Sequence, residues 1–508
     1  MTIFTNSWGR RAGKLACGAL ALVALARAAA FLVYLVLAFP LPREISPLES
    51  KMVHLAWRVQ HGVRLYPEWT DGPHVANFFG PGYFALVGLL GRARGVELDG
   101  LVPIARGVTV ASTLGMTLLL GVYAARRYGG VAGILAACIS LGCGALQGFG
   151  VMARPDTLAD LLGFVGFLLA TGRSRTCWAS GCVVLLFALF TKQTTGIYLA
   201  AAVLAQLLSG RRAAAIAIGA SVALAALAIV AVVTLAVEPQ FAPSLIGEAQ
   251  TPWDRAAYLN LMSKTFSTSL ELPVCAAIGL LLWCARPTRD LRFAALAVVL
   301  TTACFVSAGK KGADLNYFLP LRAVAALAVA ALWSALRNAQ GGRAWRLAAA
   351  ATTAAAALSL TLMPMVGLCS ATHEFRGNLN TRHGQILLRQ YGSLVKLAED
   401  RSQTLLTDSG LLDVRRGAAA EFADPWLFRL LATTGRLSTS ALRHSIEHQR
   451  YDWIVTTKPL DAPDYLTNDF CLPPDLAVAA RRHYVAAGQK CDLYLYQPRD
   501  RASSGRRP

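Results

Sequence analysis

The chain has 508 residues, 55% of them hydrophobic and 15% charged, with a formal net charge of +20 at pH 7. Soluble domains carry about 25% charged residues, so the composition excludes an ordinary soluble protein. It does not point to nucleic acid either. The basic residues stand in short clusters between apolar runs, as membrane insertion requires, and no basic and aromatic groove of the nucleic-acid kind is visible.

The first apolar run, 15–40, follows a basic start at Arg10, Arg11 and Lys14. It is longer than the apolar centre of a signal peptide, carries Arg27 and ends in bulky Phe39-Pro40, so it reads as a retained span. Further runs follow at 101–124, 131–150, 157–172, 177–191, 194–208, 213–237, 272–285, 293–308, 318–336 and 346–368. Several reach the roughly 20 residues needed to cross a bilayer. Hydrocarbon offers backbone groups no water partner, so these runs must be helical. The pattern predicts an all-α multi-span membrane protein of about eleven transmembrane helices, residues 1–368.

Placing the N-terminus in the cytoplasm puts Arg126/Arg127, Arg173/Arg175, Arg211/Arg212, Arg286/Arg289/Arg292 and Arg337/Arg343/Arg346 on the cytoplasmic side as well. That is the positive-inside distribution, and it predicts a multi-pass protein of the cytoplasmic (inner) membrane. The same rule decides residues 78–91, FFGPGYFALVGLLG. If they crossed, every later basic cluster would move outside. They are read instead as a re-entrant or interfacial segment. The outer side then receives loop 41–100, the turns 151–156 and 191–194, loop 238–271, the turn 309–317 and everything from about 369.

Within the first outer loop, 47–61 has helical periodicity. Leu48, Met52, Leu55, Ala56 and Val59 share one stripe, with Lys51, His54, Arg58 and His61 opposite. This suits a helix lying in the membrane interface with its charged face in water, ended by Gly62. The tail alternates helical patterns (427–434, 439–450) with β-like runs (403–407, 453–457, 492–496). It predicts a small extracytoplasmic α/β domain over 369–497, then a disordered tail, 498–508. No internal repeat is evident.

The polar candidates all fall in outer segments. Glu49 is either a base near the bilayer surface or a solvated helix charge. Asp156, in Arg154-Pro155-Asp156, opens a span from outside; it either complements the helix dipole or faces the same cavity as Glu49. Lys192 runs against the topogenic trend and reads as a phosphate ligand or a snorkelling side chain. The turn Lys310-Lys311-Gly312-Ala313-Asp314-Leu315-Asn316-Tyr317 reads as an anion site or an ordinary turn with an interfacial Tyr. The eight His residues show no metal-ligand pattern, and His54 and His61 read as solvated. Cys17, Cys138, Cys143, Cys177, Cys182, Cys275, Cys284 and Cys304 lie in or near spans as small apolar fillers. On the outer side, a Cys471–Cys491 disulfide is expected, with Cys369 left over. No nucleotide-binding or serine-hydrolase signature is present.

Taken in order, these segments resemble the GT-C superfamily of glycosyltransferases. Those are multi-span enzymes using polyprenyl-phosphate-linked sugars, among them lipid A aminoarabinose transferases and protein O-mannosyltransferases. The resemblance rests on Pro47-Leu48-Glu49, Gly62-Val63-Arg64-Leu65-Tyr66, Phe79-Gly80-Pro81-Gly82-Tyr83, Arg106, Ala125-Arg126-Arg127-Tyr128-Gly129, Arg154-Pro155-Asp156, Thr191-Lys192-Gln193 and Gly312 to Pro320. The chain departs from it at Leu48, where many relatives carry a catalytic Asp before Glu.

The resemblance implies a sugar transferase at the outer face of the cytoplasmic membrane. It would take a hexosyl or pentosyl group from a polyprenyl-phosphate donor to a glycolipid, polysaccharide or protein acceptor, with membrane lipid as its other partner and no nucleic acid. Glu49 and Asp156 would be catalytic. Lys192, Lys310 and Lys311 would bind phosphate, and Tyr66, Arg154, Asn316 and Tyr317 would bind substrate. A divalent cation is left open as cofactor. The rival reading is a lipid-linked-sugar flippase or other transporter. Transporters place charges near the midplane and often carry repeats; here charges gather at outer loop edges.

Overall fold

The computed structural model describes residues 4–39, 47–68, 74–249, 251–268, 291–337, 392–417, 420–422, 424–490 and 493–503. The membrane part contains α1 (Phe4–Ala38), α2 (Pro47–Gln60), α3 (Gly82–Arg94), α4 (Leu98–Tyr128), α5 (Gly130–Leu141), α6 (Leu146–Phe149), α7 (Asp156–Ala170) and α8 (Arg175–Thr191). It continues with α9 (Gly196–Leu208), α10 (Arg212–Ala236), α11 (Phe241–Ala249), α12 (Arg255–Thr268), α13 (Leu291–Ser307) and α14 (Leu321–Arg337). α4 packs on α5 and α7, α7 on α8 and α9, and α9 on α10 and α13. Small residues set the closest approaches, as they do between helices in lipid. A Cβ on Gly181 of α8 would lie 2.4 Å from the backbone nitrogen of Ala170, and one on Gly133 of α5 would lie 2.6 Å from the carbonyl of Gly121.

The span count differs from expectation. Three described helices are long and apolar enough to cross a membrane: 21–38, 98–128 and 212–236. Five more apolar helices have only 10 to 17 residues, or about 15 to 26 Å at 1.5 Å per residue, against a hydrocarbon core of about 30 Å. Eleven full spans are therefore not reproduced. The predicted spans 272–285 and 346–368 lie outside the described residues. Of residues 78–91, those from Gly82 on belong to α3 (Gly82–Arg94), whose 13 residues reach about 20 Å. The bend before it is tight: a Cβ on Gly80 would fall 2.1 Å from the carbonyl of Phe190.

The bundle has two polar ends. At one, Arg211 Nη1 and Trp178 Nε1 both donate to the carbonyl of Gly172, at 3.3 and 2.9 Å. This end gathers basic segments 173–175 and 211–212. The other end carries α2, α3 and the turns before α7 and α9, and here the tail docks.

In the tail, β1 (Leu405–Thr407) lies parallel to β2 (Trp453–Thr456). β2 pairs antiparallel with β4 (Leu493–Pro498), and β4 with β3 (Tyr484–Lys490), giving the order β1-β2-β4-β3. Leu406, Phe428, Ile446, Ile454 and Leu476 form its core with the helices Pro425–Thr433, Ser440–Glu447 and Pro474–His483. Order continues past the expected boundary: Arg499–Ser503 is a short helix, held by Arg499 Nε to the carbonyl of Arg482 (2.7 Å) and by an Arg501–Asp452 ion pair (2.5 Å). Residues 504–508 lie outside the described set, as do Cys369 and Cys491, so the expected disulfide does too.

The docking surface corrects the reading of α2. Most of its charged face is not in water: Lys51, His54 and Arg58 are buried, and only His61 at its end stays exposed. The tail helix Gly410–Val414 packs on α2, and Lys51 Nζ sits 2.5 Å from Asp424 Oδ2. Burial also pushes the His54 imidazole down to about 3. What periodicity marks as a polar face is thus a contact with a second domain.

Candidate active site

At the docked end, three separate segments converge on Asp156. The first is the turn leading into α7, where Asp156 is the first helical residue, a position at which the dipole favours an anion. The second is the end of α8, where Lys192 takes an extended conformation and terminates the helix. The third is the 3-10 turn Leu315–Phe318, started by Asp314, whose side chain accepts from the Leu315 N–H at 2.7 Å. Lys192 Nζ lies 2.5 Å from Asp156 Oδ1, Asn316 Nδ2 donates to the same oxygen at 2.7 Å, and Arg154 Nε donates to Oδ2 at 2.9 Å. Lys192 also stands 5.2 Å from the Tyr317 ring centroid, and Arg154 5.0 Å from that of Phe149. One carboxylate holds two cations, so the cluster keeps a net positive charge. All of Arg154, Asp156, Lys192 and Asn316 are buried.

Glu49 meets the same turn from the other side. Arg106, on α4, donates through Nε to Oε1 at 2.8 Å and through Nη2 to Oε2 at 2.7 Å. The Ala153 N–H donates to Oε1 at 2.8 Å. Arg106 Nη1 also reaches the carbonyl of Phe39 at 3.1 Å. Glu49 is 2% exposed and Arg106 1%. Thr109 Oγ1 donates to the carbonyl of Arg154 at 3.3 Å, adding a second link from α4 to the turn. Glu49 is thus a clamped carboxylate fixing the backbone three residues before Asp156.

One helical turn below Asp156 lies a group that sequence reading missed. Asp160 accepts from Arg322 Nε at 2.9 Å and from the Tyr198 hydroxyl. The spacing Asp156-x-x-x-Asp160 was its available signal, since i and i+4 share a helix face. The remaining partners lie 38 and 162 positions away, beyond local pattern. Asp156, Asp160, Lys192, Tyr198 and Asn316 line one small cleft.

The other expected residues are dispersed. Tyr66 is buried and donates to the carbonyl of Phe79 at 2.7 Å, which closes the first loop on itself, while Glu238, just after α10, receives the Leu65 N–H at 2.8 Å and ties the two outer loops together. Lys310 pairs through its backbone with Trp253. Lys311 Nζ stands 3.8 Å from Asp469 of the tail, half exposed. Neither lysine is paired with the Asp156 cluster among the described residues. There, no group of three or more His, Cys, Asp or Glu is placed to hold a metal ion.

No protein-family model matches the chain, and no curated protein matches it by sequence. Solved structures do match. ArnT from Cupriavidus metallidurans bound to undecaprenyl phosphate aligns over 93% of this chain and 97% of its own, with TM-score 0.56 and 15% identity. Its apo form aligns over 92% and 96%, with TM-score 0.54 and 13% identity. The Archaeoglobus fulgidus oligosaccharyltransferase tethered to an acceptor peptide aligns over 91% of this chain and 72% of its own, with TM-score 0.51 and 12% identity. What is shared at such identities is the fold, and the fold of this chain is GT-C-like.

Proposed function

We propose that the chain is a membrane glycosyltransferase that moves a sugar from a polyprenyl-phosphate donor to a glycolipid, polysaccharide or protein acceptor at the outer face of the cytoplasmic membrane. The observation that carries this reading is the buried cluster in which Asp156 holds Lys192, Arg154 and Asn316 in a GT-C-like fold, with Asp156, Lys192 and Asn316 lining a cleft.

In the proposed reaction the acceptor hydroxyl attacks the anomeric carbon and the bond from that carbon to the phosphate oxygen breaks. The leaving polyprenyl phosphate keeps the electron pair, and configuration inverts. Asp156 receives the acceptor's proton; its carboxylate has about four acceptor positions and three are occupied. Lys192 and Arg154 stabilise the charge growing on the phosphate. Lys310 and Lys311 form a cationic rim on the neighbouring turn, Tyr317 orients Lys192, and Tyr66 holds the first loop. Glu49, first expected to be the base, is assigned here as a positioning residue because it is clamped by Arg106 and the Ala153 N–H and, unlike Asp156, is not among the residues lining the cleft.

The test is transfer of radiolabel from polyprenyl-phosphate sugars to extractable acceptors in membranes containing the protein, with Asp156→Asn as control. Movement of the lipid-linked sugar across the bilayer without transfer would replace this reading by the flippase. The glycolipid or polysaccharide that loses a sugar in a deletion strain identifies the acceptor.

A further inference from the structure

We infer that Trp426 of the tail is a positioning residue for the site: it backs the turn 309–317 and so holds Asn316 against Asp156. This rests on the glycosyltransferase reading above.

The indole lies flush against the backbone of the turn. A Cβ on Gly312 would fall 2.5 Å from Trp426 Cζ2 and 2.6 Å from Cη2, so only glycine fits beside the ring. Gly312 also has a φ of +86°, which residues with a side chain adopt at a cost. Lys311 Nζ, 3.8 Å from Asp469 Oδ1, adds a second contact from the tail. The start of the turn is tied to the segment before α12. There the Lys311 N–H donates to the carbonyl of Pro252 at 2.9 Å, and the Asp254 N–H to that of Gly309 at 2.7 Å. The far end of the turn carries the chemistry. Asn316 Nδ2 reaches Asp156 Oδ1 at 2.7 Å, the Tyr317 ring faces Lys192 at 5.2 Å, and Asn316, Leu319 and Pro320 line the cleft. Trp426 bears on the stretch between tie and cleft. Contact with bare backbone fixes the path of the chain itself.

Trp426 is in turn well anchored. It belongs to the first turn of the helix Pro425–Thr433, whose Leu427 and Phe428 are buried in the tail core. Asp424, two residues before it, caps that helix through the Leu427 N–H at 3.1 Å and meets Lys51 of α2 at 2.5 Å. The same α2 carries Glu49, which accepts the Ala153 N–H at 2.8 Å. The start of one tail helix therefore braces two segments that converge on the turn before α7: α2 through Asp424, and the turn 309–317 through Trp426.

The experiment follows amide hydrogen exchange in full-length protein in detergent, with sugar transfer measured in parallel. Trp426→Ala should speed exchange across 313–319 by about tenfold or more, as local opening does, while β2 and β4 exchange as in wild type. Gly312→Ala keeps every tail residue and should speed the same amides; it decides the matter if Trp426→Ala loosens the tail. In transfer, Trp426→Ala should lower kcat about tenfold and leave the donor KM unchanged, as loss of a contact made only in the transition state does. In an Asn316→Ala background it should cost nothing further, because both changes then remove one contact. Unchanged exchange at 313–319 in both variants, an unchanged kcat, or a loss that adds to that of Asn316→Ala overturns the inference and leaves the glycosyltransferase standing. Wild type that transfers no sugar overturns the glycosyltransferase reading and this inference with it.

Discussion

Arg106 grips Glu49 through two parallel hydrogen bonds of 2.8 and 2.7 Å, and both side chains are buried. Such a fork-to-carboxylate pair is among the stronger charge-assisted contacts. It joins α2 of the first outer loop to α4, and the Ala153 N–H draws the turn before Asp156 onto the same oxygen.

Glu49→Gln should therefore act first on folding. Removing one partner of a buried ion pair costs about 3–5 kcal/mol, because the other charge stays buried. Thermal melting in detergent should fall markedly for Glu49→Gln and recover in Glu49→Gln/Arg106→Met, where neither charge remains. A single variant that melts like wild type yet transfers no sugar would return Glu49 to the role of base.

Asp156→Asn keeps size and shape but removes the charge that holds Lys192 and Arg154. With Asp156 as proton acceptor, kcat should drop by about 100-fold or more in protein that binds lipid normally. A drop below threefold would confine Asp156 to organising the cluster.

The tail is latched by Lys51 and Asp424, both buried and 2.5 Å apart. Asp424 also caps the helix Pro425–Thr433, accepting the Leu427 N–H at 3.1 Å. Asp424→Asn should retain the cap and lose the latch, so that limited proteolysis releases the tail faster. Asp424→Ala should lose both, with about 1 kcal/mol more destabilisation from the missing cap. Equal proteolysis of wild type and Asp424→Asn would mean that the apolar contacts of Phe78 and Trp426 suffice.

Asp408 gives the tail a pH dependence. Burial pushes its carboxyl up to about 7, against the opposing pull of hydrogen bonds from the Tyr465 hydroxyl (2.7 Å) and the Thr457 N–H (2.6 Å). The unfolded value is about 3.9, so between these two the folded state binds the proton more tightly. Stability from this group is full below about pH 4 and is lost as pH rises toward 7, by about 1.4 kcal/mol per pH unit. Asp408→Asn, which imitates the protonated acid, should flatten that slope in denaturation of the full chain followed from pH 4 to 8. Parallel slopes would rule the group out.

Orientation is tested by reporter fusion. A reporter active only outside the cytoplasm should work when fused after residue 508 and be silent after Gly129, which ends α4. The reverse pattern would move the proposed site to the cytoplasmic face.

Several features were legible in sequence because they are local. Apolar length marks helices that hydrocarbon forces to satisfy their own backbone; α1, α4 and α10 follow from that alone. The β-like runs at 403–407, 453–457 and 492–496 announced β1, β2 and β4. β3, Tyr-Val-Ala-Ala-Gly-Gln-Lys, was not announced: it is an exposed edge with small residues and a register shift between Ala486 and Gly488, and nothing in it alternates strongly. Asp156, Lys192 and Asn316 were each singled out by an unusual charge or amide in an outer turn.

What only the tertiary structure decided was partnership. A sequence shows that Glu49 is a carboxylate near an interface; it does not show that Arg106, 57 positions on, neutralises it. Nor does it show that Asp424, 373 positions from Lys51, covers a face that helical periodicity marks for water. Periodicity records which side chains avoid hydrocarbon, and a charged partner satisfies that requirement as well as water does. The Asp160–Tyr198–Arg322 cluster has the same origin: each residue looks like an isolated polar interruption of an apolar helix until α7, α9 and α14 are packed together.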